Sequence, residues 1–261
     1  MQKPWKITFL LSLLIAGICS VASISSATQP TPAADNRYYE MRVYYAAPGK
    51  LEELNARFRN HTTKLFEKHG MTNIGYWEPL DNPDNKLIYV LSYKDKAGRE
   101  KAWKEFSADP NWQKVQKASE ENGKLVTKVD SYFMNATDYS PNIKSSKGKN
   151  QRTFELRTYT ASPEKLKDLH ARFRNHTIKL FEKHGMTNIS YWEVIPKDST
   201  TPNTLMYILA HPSKEAGEKS FKTFREDPTW VEVKKASEVN GSLTEKVESV
   251  YMKPTDYSTI K

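Results

Sequence analysis

Apolar and polar positions recur along the chain in an order that predicts a small mixed domain. Residues 37–45 (RYYEMRVYY) are rich in aromatic residues and predict a strand. Residues 51–70 carry apolar side chains at helical spacing and end in glycine, which predicts a helix with a C-terminal stop. Further strands are predicted at 71–78, 86–93 and 125–134, and helical segments at 95–107 and 111–122. The resulting order, β-α-β-β-α-β, is that of a ferredoxin-like domain.

The whole pattern occurs twice. Residues 56–78 and 171–193 differ at two of 23 positions, where Thr63 and Gly75 are matched by Ile178 and Ser190. We therefore predict domain 1 at 37–139, a linker at 140–151 and domain 2 at 152–257, called repeat 1 and repeat 2 below. The predicted fold class is α+β. Because helices cover only one face of each sheet, the two sheets are expected to pack face to face as an intramolecular pseudo-dimeric α/β barrel.

The N-terminus has the pattern of a secretory signal peptide. A basic start (MQKPWK) precedes an apolar run and small residues, so residues 1–27 are predicted to be removed and residues 28–36 to form a flexible tether. The mature protein is then expected to be periplasmic or secreted. The alternatives are lipid attachment at Cys19 and an uncleaved anchor. The apolar core from Ile7 to Ile18 is shorter than the ~20 residues that a span needs, so no stable membrane span is expected after cleavage.

Composition narrows the possible chemistry. The net charge is +9, but basic and acidic residues are mixed and no phosphate-binding loop occurs, so nucleic-acid binding is not predicted. Cys19, the single cysteine, lies in the leader, and the mature protein is expected to have no disulfide or thiol nucleophile. No clustered metal-ligand set and no hydrolase or dinucleotide motif stands out, so no metal site is predicted and no cofactor is assigned.

Charged residues occupy matching positions in the two first strands. Glu40 and Arg42 share one face, and Glu155 and Arg157 share the same face in repeat 2. If these faces meet between the sheets, the interior holds charges that must be paired. The pattern predicts either a polar cavity for a small ligand or an ion-pair network that sets the register of the sheets.

Histidines and tryptophans provide the other candidates. His61 and His176 fall at the centre of the apolar helix face, where we expect either a hydrogen-bonded core histidine or an acid–base or ligand-orienting group. A tryptophan follows each of them in the next strand and is either core or part of a site. The candidate ligand pocket therefore comprises His61, Trp77, Glu40 and Arg42, with the counterparts His176, Trp192, Glu155 and Arg157.

Two long strings of repeat 1 resemble the NIPSNAP domain: FRNHTTKLFEKHGMTNIGYWEP and IYVLSYKDKAGREKAWKEFSADPNW. Repeat 2 departs from them at several positions, among them Phe221 in place of Trp103. The resemblance implies a dimeric α/β-barrel fold. That superfamily includes small-molecule monooxygenases and haem-degrading enzymes whose ligands lie between a helix and the sheet. Eukaryotic NIPSNAP proteins are associated with mitochondria and protein partners.

Two functions are compatible with these features. The first is an extracytoplasmic protein that binds a small ligand in an α/β-barrel pocket, with or without monooxygenase-like chemistry. The second is a non-enzymatic protein-interaction or scaffolding module, for which a protein partner or a homo-oligomer is expected. The first requires a cavity that reaches the candidate histidines, whereas the second requires closely packed histidines.

Overall fold

The computed structural model describes Met1, residues 35–146 and residues 152–261. Apart from Met1, the predicted signal peptide lies outside the described residues, as do the tether up to residue 34 and residues 147–151 of the predicted linker. Both repeats belong to one compact unit.

Repeat 1 follows the predicted order of strands and helices. Its strands are β1 (Tyr38–Ala46), β2 (Thr72–Pro79), β3 (Lys86–Tyr93) and β4 (Val126–Ala136). Its helices are α1 (Leu51–Arg57), α2 (Thr63–Lys68), α3 (Lys96–Ala108) and α4 (Pro110–Ser119), and a π-helical turn (Phe58–Thr62) joins α1 to α2. The α3 and α4 helices begin at aspartate caps, because Asp95 and Asp109 accept hydrogen bonds from backbone N–H groups of their first turns.

Repeat 2 has the same elements in the same order. Its strands are β5 (Thr153–Ala161), β6 (Thr187–Val194), β7 (Thr204–His211) and β8 (Thr244–Pro254). Its helices are α5 (Leu166–Arg172), α6 (Ile178–Lys183), α7 (Lys214–Glu226) and α8 (Pro228–Ser237), with a π-helical turn at Phe173–Thr177.

The strands of both repeats close into one antiparallel barrel in the order β1-β3-β2-β8-β5-β7-β6-β4. Two short seams join the repeats: β2 pairs with β8 at Trp77–Pro79, and β4 pairs with β6 at Met134–Ala136. The predicted intramolecular pseudo-dimeric barrel is therefore confirmed, and helices cover its outer face.

The barrel interior is apolar. Side chains that point inward from β1 and β5 come from alternate positions, as a two-residue period requires; they are Tyr39, Met41, Val43, Phe154 and Leu156. Two further cores, one in each repeat, lie between the barrel and its helices. The three cores together explain why β3 and β7 are buried along almost their whole length.

Each repeat ends in the sequence TDYS, and each copy packs on the other repeat. In the first copy, Asp138 pairs with Arg174 (2.7 Å) and the Ser140 hydroxyl accepts from the backbone N–H of Tyr191 (2.9 Å). In the second copy, residues 255–258 make the equivalent contacts with repeat 1 through Asp256 and Ser258. The exchange of these segments fastens the two repeats together beyond the barrel seams.

Candidate functional site

Glu40 lies on the helix-facing side of β1, fully buried. It accepts hydrogen bonds from Arg42 (2.7 Å), from two nitrogens of Arg99 on α3 (both 3.0 Å), from the Tyr93 hydroxyl (3.0 Å) and from the Trp103 indole (3.1 Å). Burial by itself raises the pKa of Glu40, but the Arg99 hydrogen bond and the charges of both arginines outweigh it and lower that pKa. The carboxylate is therefore ionised and held on every side.

Glu155 has the equivalent position in repeat 2 but different partners. It accepts from Arg157 (2.6 Å) and from the Ser249 hydroxyl (2.5 Å), and its other oxygen lies 3.1 Å from Nε2 of His211. Burial raises the pKa of Glu155, and the hydrogen bond from His211 and the charge of Arg157 lower it by more. Nδ1 of His211 is buried without a hydrogen-bond partner among the described residues.

The condition that these charges lie between the two sheets is not met, because Glu40, Arg42, Glu155 and Arg157 all point away from the barrel interior. Strand alternation separates two faces but does not say which face is turned inward. The barrel interior is lined by apolar side chains, whereas α3 provides Arg99 and Trp103 as polar partners on the outer face. Buried charges need such partners, so the charged face lies against the helices.

Trp77 and Trp192 point into the barrel interior, far from solvent. Both are fully buried, and each packs on a ring of the other repeat: Trp77 lies 5.6 Å from Phe154, and Trp192 lies 5.7 Å from Tyr39. The indole nitrogens of both have no hydrogen-bond partner among the described residues. The structure thus places them in the shared core, apart from Glu40 and Arg42.

His61 and His176 are exposed, and their predicted place on the apolar face is wrong. In a regular helix, seven residues make almost two turns, so His61 was expected above Leu54. The π-helical turn is wider, because its backbone bonds reach back five residues, as from Thr63 to Phe58. That turn rotates His61 outward and brings Thr62 to the buried position.

Each exposed histidine lies in a groove between the π-helical turn and the last helix of its repeat. The groove of repeat 1, of about 840 Å³, is lined by Glu53, Ala56, Arg57, Asn60, His61, Lys64, Leu65, Asn111, Lys114, Val115, Ala118, Ser119 and Asn122. We call it groove 1. The groove of repeat 2, of about 650 Å³, is lined by Asp168, Ala171, Arg172, Asn175, His176, Glu232, Val233, Ala236 and Ser237. We call it groove 2.

A separate cavity lies between the sheet and the helices of repeat 1. Its volume is about 480 Å³, and its lining is dominated by rings from β1, the helices and the π-helical turn: Tyr44, Phe58, Phe66, Trp103, Phe106 and Trp112. Polar side chains, among them Gln116, Glu120 and Lys124, line it as well. We call this space the aromatic cavity.

Arg57 stands between the aromatic cavity and groove 1 and lines both. Its side chain is 5% exposed and bonds to Glu120 (2.9 Å) and Ser119 (3.2 Å), while its Nε has no partner among the described residues. The guanidinium also lies over the Trp112 ring, 5.3 Å from its centre.

The predicted pocket residues thus fall in three places. Glu40 and Arg42 contact each other behind the helices, Trp77 is in the barrel interior, and His61 is in an outer groove. The counterparts in repeat 2 are divided in the same way. The rings of the aromatic cavity were not among the predicted site residues, although aromatic positions on two consecutive helices, Trp103, Phe106 and Trp112, were a usable signal.

The described residues contain neither a cluster of metal ligands nor a helix suited to cross a membrane. Among residues 35–146 and 152–261, no three or more His, Cys, Asp or Glu side chains gather in a way that could hold a metal ion. Within the same ranges, no helix combines the length and the apolar character needed to cross a membrane.

Solved structures with the same fold span most of the chain. A protein from Lactobacillus acidophilus, named provisionally as a monooxygenase, is 9% identical with a TM-score of 0.55, covering 87% of this chain and 100% of its own. An anthrone oxidase-like protein is 11% identical with a TM-score of 0.52, covering 87% and 95%. A NIPSNAP-like domain protein from Burkholderia xenovorans is 19% identical with a TM-score of 0.38, covering 42% and 92%. At these identities the first two structures show a likeness of fold alone.

Family membership rests on the sequence itself. No match is found among curated proteins. The sequence profile described as NIPSNAP matches residues 39–141 and again residues 154–259, which together make up most of the chain. The chain belongs to the NIPSNAP family, with two copies of its domain in tandem.

Proposed function

We propose that this protein binds a small, flat and largely apolar molecule in the aromatic cavity of repeat 1. The observation that carries the proposal is the lining of that cavity by six aromatic side chains. Such rings contribute large apolar contact areas and stack on flat ligands. The volume of about 480 Å³ lies within the range of small-molecule sites, roughly 300–1,000 Å³.

The polar residues of the lining indicate how a ligand would be oriented in the cavity. Gln116, Glu120 and Lys124 lie on α4 or just after it, while the rings of Phe58 and Phe66 belong to the buried core. An apolar ring system therefore fits among the aromatic residues, and a hydroxyl or carbonyl group of the ligand fits beside the polar ones.

The test is a binding measurement with neutral aromatic probes, indole and 2-naphthol, by calorimetry and by thermal shift. We expect both to bind the full chain and raise its melting temperature. Val126→Trp fills the cavity and should weaken binding by at least about tenfold, which corresponds to about 1.4 kcal/mol. Thr244→Trp places the same side chain at the matching position of repeat 2 and should leave binding unchanged.

Two results would count against the proposal. The first is that neither probe stabilises the wild-type protein. The second is that both tryptophan variants weaken probe binding equally while circular dichroism shows both to be folded. If the wild-type protein instead forms a stable homo-oligomer and binds no probe, the interaction-module hypothesis is favoured.

Oxidative chemistry and secretion stay predictions. Monooxygenase-like activity would require that the bound ligand is also oxidised. Oxygen uptake in the presence of an aromatic probe, together with mass spectrometry of that probe, tests this prediction. The predicted removal of residues 1–27 is tested by determining the N-terminus of the protein recovered from its native compartment.

A further inference from the structure

We infer that groove 1 is a second binding site, which takes a small organic acid with a short aliphatic body. This site is separate from the aromatic cavity and does not depend on the function proposed above. It rests on a comparison of groove 1 with groove 2, which have the same architecture and opposite charge.

The architecture of the two grooves is shared. Each contains a histidine of the π-helical turn, an asparagine just before it, and a buried arginine whose Nε has no partner among the described residues. In both grooves that arginine is paired with a glutamate, Arg57 with Glu120 (2.9 Å) and Arg172 with Glu238 (2.8 Å). These pairs balance in charge, so they do not distinguish the grooves.

The charges of groove 1 that are left without a partner of opposite sign are positive. Lys64 and Lys114 are exposed, and neither makes an ion pair or side-chain hydrogen bond with another residue in the described ranges. Glu53, the acid of groove 1, is already bound by Lys50, whose Nζ lies 2.7 and 2.9 Å from its two carboxylate oxygens. A carboxylate entering this groove therefore meets two uncompensated lysines and the His61 ring.

The remaining charges of groove 2 are negative. Lys114 is matched by Glu232 and Glu53 by Asp168, and both acids line the groove. Asp168 has only a long contact of 3.7 Å to Lys165. Groove 2 should therefore repel the anion that groove 1 attracts.

Apolar side chains of groove 1 indicate the rest of the ligand. Ala56, Leu65 and Val115 are half-buried and line the groove with Ala118. These are aliphatic surfaces without an aromatic ring, in contrast to the aromatic cavity. A short alkyl chain can cover them while its carboxylate lies among the lysines.

The experiment is a titration of the full chain with hexanoate and with the neutral hexanamide, followed by backbone NMR shifts. Hexanoate should shift amides that line groove 1 and leave groove 2 unchanged. Lys114→Glu, which introduces the residue of groove 2, should weaken binding at least about fivefold, because one charge contact in water is worth ~1 kcal/mol. In the Glu232→Lys variant, hexanoate should shift backbone amides of groove 2 that it leaves unchanged in the wild-type protein.

Controls separate this site from the aromatic cavity. Val126→Trp, a change in the aromatic cavity, should leave hexanoate binding intact. A failure of the aromatic probes to bind would therefore leave the inference about groove 1 unaffected. Raising the salt concentration should weaken hexanoate binding. The inference is overturned if hexanamide binds as tightly as hexanoate, if both grooves respond equally, or if Lys114→Glu has no effect.

Discussion

Glu40 in repeat 1 and Glu155 in repeat 2 occupy equivalent positions, yet different side chains hold them. Glu40 is bound by two arginines, a tyrosine and a tryptophan. Glu155 is bound by one arginine, a serine and a histidine. The pair with the arginine two residues further along the same strand is common to both, whereas the other side chains that bind the glutamate differ.

The changes in repeat 2 depend on each other. Arg99 is matched by Gly217, and Tyr93 by His211. A Cβ atom on Gly217 would lie 3.0 Å from the His211 ring and 3.0 Å from the Tyr251 hydroxyl, so the glycine makes room for them. The loss of one cation from α7 is offset by hydrogen bonds from other elements.

This comparison indicates that the buried glutamate is kept for structure. Each carboxylate has its hydrogen bonds filled by the protein, and neither is among the residues that line groove 1, groove 2 or the aromatic cavity. An ion-pair network was one of the two interpretations of the sequence, and its location between sheet and helices explains why each carboxylate needs partners from a helix or a neighbouring strand.

The largest effect is expected from Glu40→Gln. Removing this charge leaves Arg42 and Arg99 side by side without a counter-charge, and breaking a buried pair typically costs about 3–5 kcal/mol of unfolding free energy. Glu155→Gln should cost less, because it leaves Arg157 as the single cation beside a histidine. Urea denaturation followed by circular dichroism measures both.

The double variant Glu40→Gln/Arg99→Ala provides the control. Removing the second arginine should recover part of the lost stability, because the repulsion between the two guanidiniums disappears. If Glu155→Gln lowers the free energy of unfolding as much as Glu40→Gln does, the two networks are energetically equivalent and the expected difference is contradicted.

Much of the fold was predictable because its signals are periodic and occur twice. The strand β3 was predicted at its observed bounds, and the pairing of the two repeats followed from the uncovered sheet faces. The role of the TDYS segments, by contrast, was not predicted, although the sequence repeats them without change at 137–140 and 255–258. Their role depends on contacts between repeats that no local pattern encodes.

The candidate site was less predictable for two physical reasons. Alternation along β1 could not show that Glu40 faces α3 and not the barrel interior. The regular helical period could not show the π-helical turn that rotates His61 into solvent. A one-residue change in helical register is invisible to a pattern averaged over several turns.

An intermediate effect is expected at Gly75 and Ser190, one of the two differences within the shared 23-residue string. A Cβ on Gly75 would lie 2.3 Å from the buried Trp77 ring, so Gly75→Ser should destabilise the protein by about 1–3 kcal/mol through overpacking. Ser190→Gly should cost about 1 kcal/mol or less, through loss of the 2.9 Å contact with Ser140 and added chain flexibility.

Chemical denaturation with tryptophan fluorescence distinguishes these two variants, because the interior tryptophans report on barrel packing. Trp77→Phe should relieve part of the cost of Gly75→Ser if the indole is the cause. Equal costs for Gly75→Ser and Ser190→Gly would contradict the explanation.

The smallest effect is expected at the π-helical turns, where the other difference of the string lies. In repeat 1 the hydroxyls of Thr62 and Thr63 donate to carbonyls five residues back, at 3.2 Å each. In repeat 2 Thr177 makes the equivalent bond, and Ile178 replaces the second threonine.

Thr177→Val should therefore cost about 0.5–1.5 kcal/mol of unfolding free energy and Thr62→Val less, because the Thr63 hydroxyl still bonds to the backbone of its turn. Thr63→Ile turns repeat 1 into repeat 2 at this position, and in that background Thr62→Val should cost as much as Thr177→Val. Hydrogen exchange of the amides at positions 63 and 178 measures the opening of each turn directly, and equal exchange in all these variants would show that the backbone, not the hydroxyls, sets the π-helical turn.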